Sequence, residues 1–223
     1  MVRSGLTLAK VEGGDRFGTR ESNKQVRNLH FQSKITEFSV MGELTAFNLY
    51  NIRWSPYFFG GLTVFRFNPY SYDDTSKIFL RPLSTEGQGL PEYPDRKPYS
   101  LTEISLPVGG GIKYVINDNI RIGFEVGVRK LFTDYLDDVS TTYADPAVLD
   151  ARKGTKAVEL SYRGDEYPGG APNYPAKGDI RGNPETKDWY YFTGIHLTFR
   201  LNNGLVKTFS SGSKRGYGCP KTF

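Results

Sequence analysis

The chain has one cysteine, Cys219, in 223 residues, so no internal disulfide framework and no cysteine-based zinc cluster can hold it together. Tryptophan and methionine occur only twice each, against 15 Tyr and 15 Phe, a balance that points to strands and away from a helix-rich chain. No apolar run exceeds a few residues, far short of the roughly 18 that a membrane-spanning helix needs, and mean hydropathy is −0.48. The opening Met1–Lys10 lacks both the apolar stretch of about 7 to 15 residues and the small-residue cleavage site of a secretory leader. As written, the chain is therefore expected to be cytoplasmic or truncated. Charge of one sign is also scarce: 29 Lys+Arg against 24 Asp+Glu leave a net +5, which excludes little.

What is abundant is glycine and single-ring aromatics, 25 Gly with 15 Tyr and 15 Phe, in a pattern of alternation. From 102 to 116, Ile104, Leu106, Val108, Ile112, Tyr114 and Ile116 oppose Glu103, Ser105, Gly109, Gly111 and Lys113. After Asn117-Asp118-Asn119 the pattern resumes, with Ile120, Ile122, Phe124, Val126 and Val128 against Arg121, Gly123, Glu125, Gly127 and Arg129. This predicts a hairpin with a tight turn. Alternation also predicts strands over 2–11, from Leu29 to about Leu49, and over 189–201, while 55–67 is a strand by composition with its outward face open. Within the second strand, Leu29, Phe31 and Ile35 have the opposite parity to Phe38, Val40, Leu44 and Ala46, which predicts a bulge or break near Ile35.

Six strands result, joined by connections that alternate in length: long at 12–28, 68–98 and 133–188, short at 50–54 and 117–119. One-sided loops and a dyad repeat of apolar and polar residues are the pattern of an antiparallel up-and-down transmembrane β-barrel. The polar face carries glycine and charges of both signs, which a dry core could not hold unpaired, so lipid is the expected neighbour of the apolar face. Aromatic residues at strand ends (Trp54, Tyr57, Phe58, Phe65, Phe67, Tyr99, Trp189, Tyr190, Tyr191) are expected to form interfacial girdles. A soluble calycin-like barrel with its apolar face inward shows the same alternation and remains the first rival. Closed barrels of this class start at about eight strands, so the expectation is a barrel of about eight strands when complete, with Met1 inside a strand and a leader plus the first strand or two upstream.

Four stretches carry a family resemblance: Arg81-Pro-Leu-Ser-Thr-Glu-Gly-Gln-Gly89, Tyr93-Pro-Asp-Arg-Lys-Pro-Tyr-Ser-Leu101, Arg129-Lys-Leu-Phe-Thr-Asp-Tyr-Leu-Asp-Asp-Val-Ser-Thr-Thr-Tyr143 and Arg181-Gly-Asn-Pro-Glu-Thr-Lys-Asp-Trp189. They resemble the PorG-like outer-membrane barrels of Bacteroidota, with matches from about Asn28 to the Cys-Pro-Lys near the end. The resemblance implies an outer-membrane location among lipid, association with periplasmic ring proteins of the type IX secretion and gliding apparatus, and a structural rather than catalytic role.

Candidate chemistry is sparse. His30 and His196 are the two histidines, and no Ser and acid set accompanies His196 at a matching strand position, so a hydrogen-bonded lumen histidine is expected. A lipid-modifying barrel enzyme is the second rival. Asp134, Asp137 and Asp138 could chelate calcium, but the block lacks the Gly and terminal Glu of an EF-hand loop. Capping of a strand-to-loop exit, with Thr133, Ser140 and Thr141, is expected instead, with no metal and no cofactor. Glu103, Lys113, Arg121, Glu125 and Arg129 share the lumen face and are expected to pair, filling a barrel too narrow to be a pore. The domain reading is a barrel over 1–201 and a tail over 202–223. That tail holds Lys207, Lys214, Arg215 and Lys221 and no acid, as either a solvated end or a segment that docks on an acidic periplasmic partner. Loop tyrosines Tyr143, Tyr167 and Tyr174, with Trp189, would suit sugar stacking or simple loop packing. No groove-reading motif accompanies the basic tail, so nucleic acid is not an expected partner.

Overall fold

The structure is a computed structural model that describes residues 1–15, 27–49, 52–166 and 172–200. Its fold is all-β: an antiparallel up-and-down sheet that curls through 265° toward a barrel. Six long strands follow one another around the curl: β1 (Val2–Gly14), β2 (His30–Thr45), β3 (Trp54–Arg66), β6 (Thr102–Asn117), β7 (Ile120–Leu131) and β8 (Trp189–Phe199). A hairpin of β4 (Pro69–Asp73) and β5 (Ser76–Phe79) prolongs the line of β3, with Ser33 and Gln32 of β2 pairing to Pro69 and Tyr70 in unchanged register. The outer edges of β1 and β8 have no strand partner among the described residues.

The predicted β6–β7 hairpin is present, and its turn is closed by Asn117, whose side-chain oxygen accepts from the backbone N–H of Asn119 at 3.0 Å and Ile120 at 2.9 Å. Side chains of one parity face outward on every long strand, and the open parity of β3 resolves with Phe58, Leu62 and Val64 outside and Tyr57, Phe59, Thr63 and Phe65 inside. Glycines on the inner face let rings lie against the neighbouring strand. A Cβ on Gly123 would come within 2.2 Å of the His196 ring, and one on Gly127 within 2.7 Å of the Phe192 ring. The abundance of lumen glycine is thus a response to lumen aromatics as well as to long charged side chains.

Three expectations are corrected. There is no bulge near Ile35: β2 pairs with β1 in one unbroken register from His30 to Gly42. The parity of the apolar residues switches because the surroundings change along the strand. Ile35 faces inward with Phe65, Phe67, Tyr99, Leu131, Leu136 and Tyr190 in a buried apolar cluster at the loop end, while Lys34 and Thr36 face out. Second, of the nine strand-end aromatics only Trp54, Phe58, Trp189 and Tyr191 are exposed. Tyr57, Phe65, Phe67, Tyr99 and Tyr190 are buried inside. Third, 68–98 and 133–188 are not bare loop. Besides the β4–β5 hairpin they hold two short helices, α1 (Pro146–Lys153), whose N-cap Asp145 accepts from the N–H of Ala147 and Val148, and α2 (Thr155–Ser161). Together with Arg27 they fold into a cap over the loop end of the sheet. None of these helices is long or apolar enough to cross a membrane.

Candidate functional site

The interior is built in layers. Nearest the short turns, Lys113 pairs with Glu43, and Arg3 reaches from β1 across to Glu125 on β7 at 2.8 Å. The Tyr57 hydroxyl donates to the same carboxylate at 2.9 Å, and His196 Nδ1 lies 4.0 Å from it. Above this sits an apolar layer of Met41, Tyr57, Phe59 and Phe192, with the Arg3 guanidinium 4.6 Å over the Phe59 ring. The second charged layer joins Arg129 to Glu37 side-on, Nε at 2.9 Å and Nη2 at 2.5 Å, with the Tyr190 hydroxyl donating to Glu37 at 3.0 Å. Phe192 lies under that guanidinium at 4.0 Å. Side-on pairing with an added hydroxyl donor is the geometry that makes a buried ion pair tolerable.

Of the five lumen residues expected to pair, the structure brings Lys113, Glu125 and Arg129 into these layers. Glu103 and Arg121 are half-buried on the same face, and neither forms an ion pair among the described residues. The partners that reading the sequence missed are Arg3, Glu37 and Glu43, together with the hydroxyls of Tyr57 and Tyr190. Each acid sat visibly on the polar side of an alternating strand. What identified its partner was the register between strands 70 and 92 residues apart. The tail residues Lys207, Lys214, Arg215 and Lys221, like Tyr167, lie outside the described residues.

Outside, the sheet presents apolar side chains on every strand: Leu6 and Leu8, Phe38 and Val40, Phe58, Leu62 and Val64, Ile104, Val108 and Ile112, Phe124 and Val126, Ile195 and Leu197, all exposed. Toward the short-turn end the belt carries Phe47, Trp54, Tyr114 and Phe199, with Ile116 beside them and Phe47 edge-on to Trp54 at 5.5 Å. At the loop end it stops at Phe132, Trp189 and Tyr191. The 11 residues of β8, at about 3.4 Å each and tilted by about 40°, give a band roughly 25–30 Å tall.

The cap is organised by buried charge. Glu86, fully buried, accepts from the Arg181 guanidinium at 3.0 Å, from the N–H of Ser140 and Thr141, and from the Thr141 hydroxyl at 2.6 Å. Asp138 holds φ 65°, a left-handed conformation for a non-glycine residue, and its carboxylate accepts from the hydroxyls of Thr85 at 2.5 Å and Tyr99 at 2.7 Å. Burial raises its carboxyl to about 6, against the opposing pull of Arg181. Burial, reinforced by Asp188 beside Asp137 and by Asp134 beside Asp188, also pushes the carboxyls of Asp137 and Asp188 above the ordinary carboxylate range. These two carboxylates, with Asp134 and Asp179, line an open cleft of about 920 Å³ in the cap. Asp137 accepts from the Val139 N–H, and the Thr133 hydroxyl oxygen from the Tyr135 N–H, so of the three residues expected to cap the loop exit Thr133 does so locally, whereas Ser140 and Thr141 are held by Glu86. Tyr143, Tyr162 and Tyr174 pack edge-to-face on one another at 5.5–6.0 Å, so Tyr143 is a buried packing residue and offers no open stacking face. Among the described residues, no three His, Cys, Asp or Glu side chains converge as a metal site.

Residues 1–151, about two thirds of the chain, match a family known by the description Domain of unknown function (DUF6089). No curated protein and no solved structure matches the chain.

Proposed function

The chain belongs to that DUF6089 family, to which no activity is attached, and from this premise we propose that it is a small outer-membrane β-barrel that works without catalysis, as an anchor and organiser within a larger envelope assembly. The observation that carries the reading is the belt: outward apolar residues on all six long strands, bounded at both ends by exposed aromatics. Its height matches the apolar band of roughly 25 Å that lipid-facing barrels present. In water such a surface would far exceed the few hundred Å² of contiguous apolar area that soluble monomers tolerate. A soluble calycin-like barrel needs the reverse arrangement, an apolar ligand chamber inside. Here the interior is filled by Arg129–Glu37, Lys113–Glu43, Arg3–Glu125 and their aromatic neighbours. For a lipid-modifying enzyme, His196 is poorly placed: its ring lies inside the sheet beside Tyr57 and Glu125, away from the lipid-facing side.

A tie to type IX secretion or gliding rests on the resemblance of 81–89, 93–101, 129–143 and 181–189 to PorG-like barrels, and the partners it implies are periplasmic ring proteins. The basic tail, 202–223, is the segment proposed to reach them. Two measurements test the proposal. The protein should stay with the membrane pellet after alkaline carbonate extraction, and its release into the supernatant would defeat the barrel reading. Detergent pull-down with and without 202–223, read by mass spectrometry, should recover ring lipoproteins only with the tail present. Recovery of the barrel alone in both arms would sever the tie to secretion and leave the membrane reading standing.

A further inference from the structure

Where the belt ends at the loop side, three cations sit together on the outer surface. Lys10 of β1 lies directly opposite Lys34 of β2 in the ladder, and Arg66 of β3 pairs with Thr36, one diagonal step from Lys34. All three side chains are exposed, on the outward parity of their strands. Residues directly opposite place their Cβ atoms about 5 Å apart and diagonal ones about 7–8 Å, and like charges in such pairs destabilise a sheet. Glu12 is the neighbouring acid, 3.5 Å from Lys10 and also accepting from Gln32. Lys34 and Arg66 have no ion-pair partner among the described residues. Below the three cations, with Thr36 intervening on β2, the same strands expose Leu8, Phe38 and Val64, with Leu6 opposite Phe38 and Phe38 opposite Val64. Positive charge stacked on an apolar surface matches an amphiphile with an anionic head and acyl chains.

We infer that Lys10, Lys34 and Arg66 form a binding site for the anionic phosphate headgroup of a lipid in the leaflet on the loop side, whose chains lie on Leu8, Phe38 and Val64. The inference rests on the belt being lipid-facing and goes beyond it by naming the lipid chemistry and the residues that read it. The repulsive Lys10–Lys34 pair is accounted for by an anion that bridges both ammonium groups, and Arg66 adds the forked donor suited to phosphate oxygens.

The test reconstitutes the full chain in phosphatidylcholine vesicles containing phosphatidylglycerol, then extracts it gently and counts retained lipids by native mass spectrometry. Basic residues at a membrane surface attract anionic lipid, so the wild type should retain phosphatidylglycerol over phosphatidylcholine on the order of ten-fold above the bulk ratio. The triple variant Lys10→Gln/Lys34→Gln/Arg66→Gln should fall to near the bulk ratio, while Lys97→Gln, an exposed lysine on the cap, should keep the wild-type value. Lys34→Glu guards against misfolding, because it converts the repulsive pair with Lys10 into an attractive one. It should lose lipid while melting no lower than wild type in neutral detergent. Unchanged retention in the triple variant, or no headgroup preference in inserted wild type, overturns the site while leaving the barrel reading intact. Failure of the wild type to float with vesicles at all overturns both.

Discussion

The buried pair Arg129–Glu37 shows how single residues set the energetics of this interior. Glu37 is 1% exposed and accepts from two guanidinium nitrogens and one tyrosine hydroxyl, so removing one partner leaves the other charge stranded. Glu37→Leu or Arg129→Met alone should each cost about 3–5 kcal/mol, and the double replacement far less, since a buried pair exchanged for apolar side chains is often neutral. Urea unfolding in detergent checks this, and additive losses in the double variant would contradict it. Asp138 makes a different prediction. Its folded carboxyl is raised to about 6, so between its ordinary value near 4 and that level the folded state holds more protons than the unfolded one. The contribution is full below the unfolded value and is lost as pH rises through the folded one. Asp137 and Asp188 shift in the same direction. The cap should therefore be best protected from hydrogen exchange in mild acid and loosen toward neutrality, with Asp137→Asn flattening the profile. Protection that grows with pH would reverse the assignment.

At the scale of elements, the belt and the cap respond to substitution in opposite ways. On β6, Val108→Arg places a charge near the middle of the belt and should cost about 2–4 kcal/mol in a bilayer, whereas Thr102→Arg at the loop-end margin should cost about 0–1 kcal/mol. Equal costs, measured by reversible unfolding in vesicles, would argue against a lipid neighbour. In the cap, Gly182→Ala drives a Cβ to within 2.7–2.9 Å of the Ser140 backbone, and should loosen the Arg181 attachment and raise proteolysis of 134–188. These two kinds of element also differed in how far the sequence revealed them. Five of the six long strands were legible because a strand alternates on its own, as Ile104–Ile116 and Ile120–Val128 do without reference to any partner, while β3 was legible by composition and its facing only from the structure. The cap was illegible because its order comes from pairs such as Thr85–Asp138, Glu86–Thr141 and Arg96–Thr142, separated by 46–55 residues and lacking any period. The inversion at Ile35 misled for a related reason: a period-two reading assumes one solvent along the strand, and β2 passes from the belt into the cap's apolar underside within a few residues. Likewise Tyr57 and Tyr190 read as rim aromatics until register turned them inward.

For the molecule as a whole, two charged layers with an apolar layer between them occupy the interior beneath the cap. In a planar bilayer the protein should show no unitary conductance steps, and Glu37→Gln should not create them, because the Lys113–Glu43 and Arg3–Glu125 layer still closes the turn end. Discrete openings in the wild type would contradict this arrangement. Arg3 also ties β1 to β7 across the interior, so the curl is braced from within. Under the membrane placement proposed above, an interior filled in this way would add no open channel to its bilayer. On the proposed anchor role, many copies could then gather around a larger assembly without each one opening a route for small solutes.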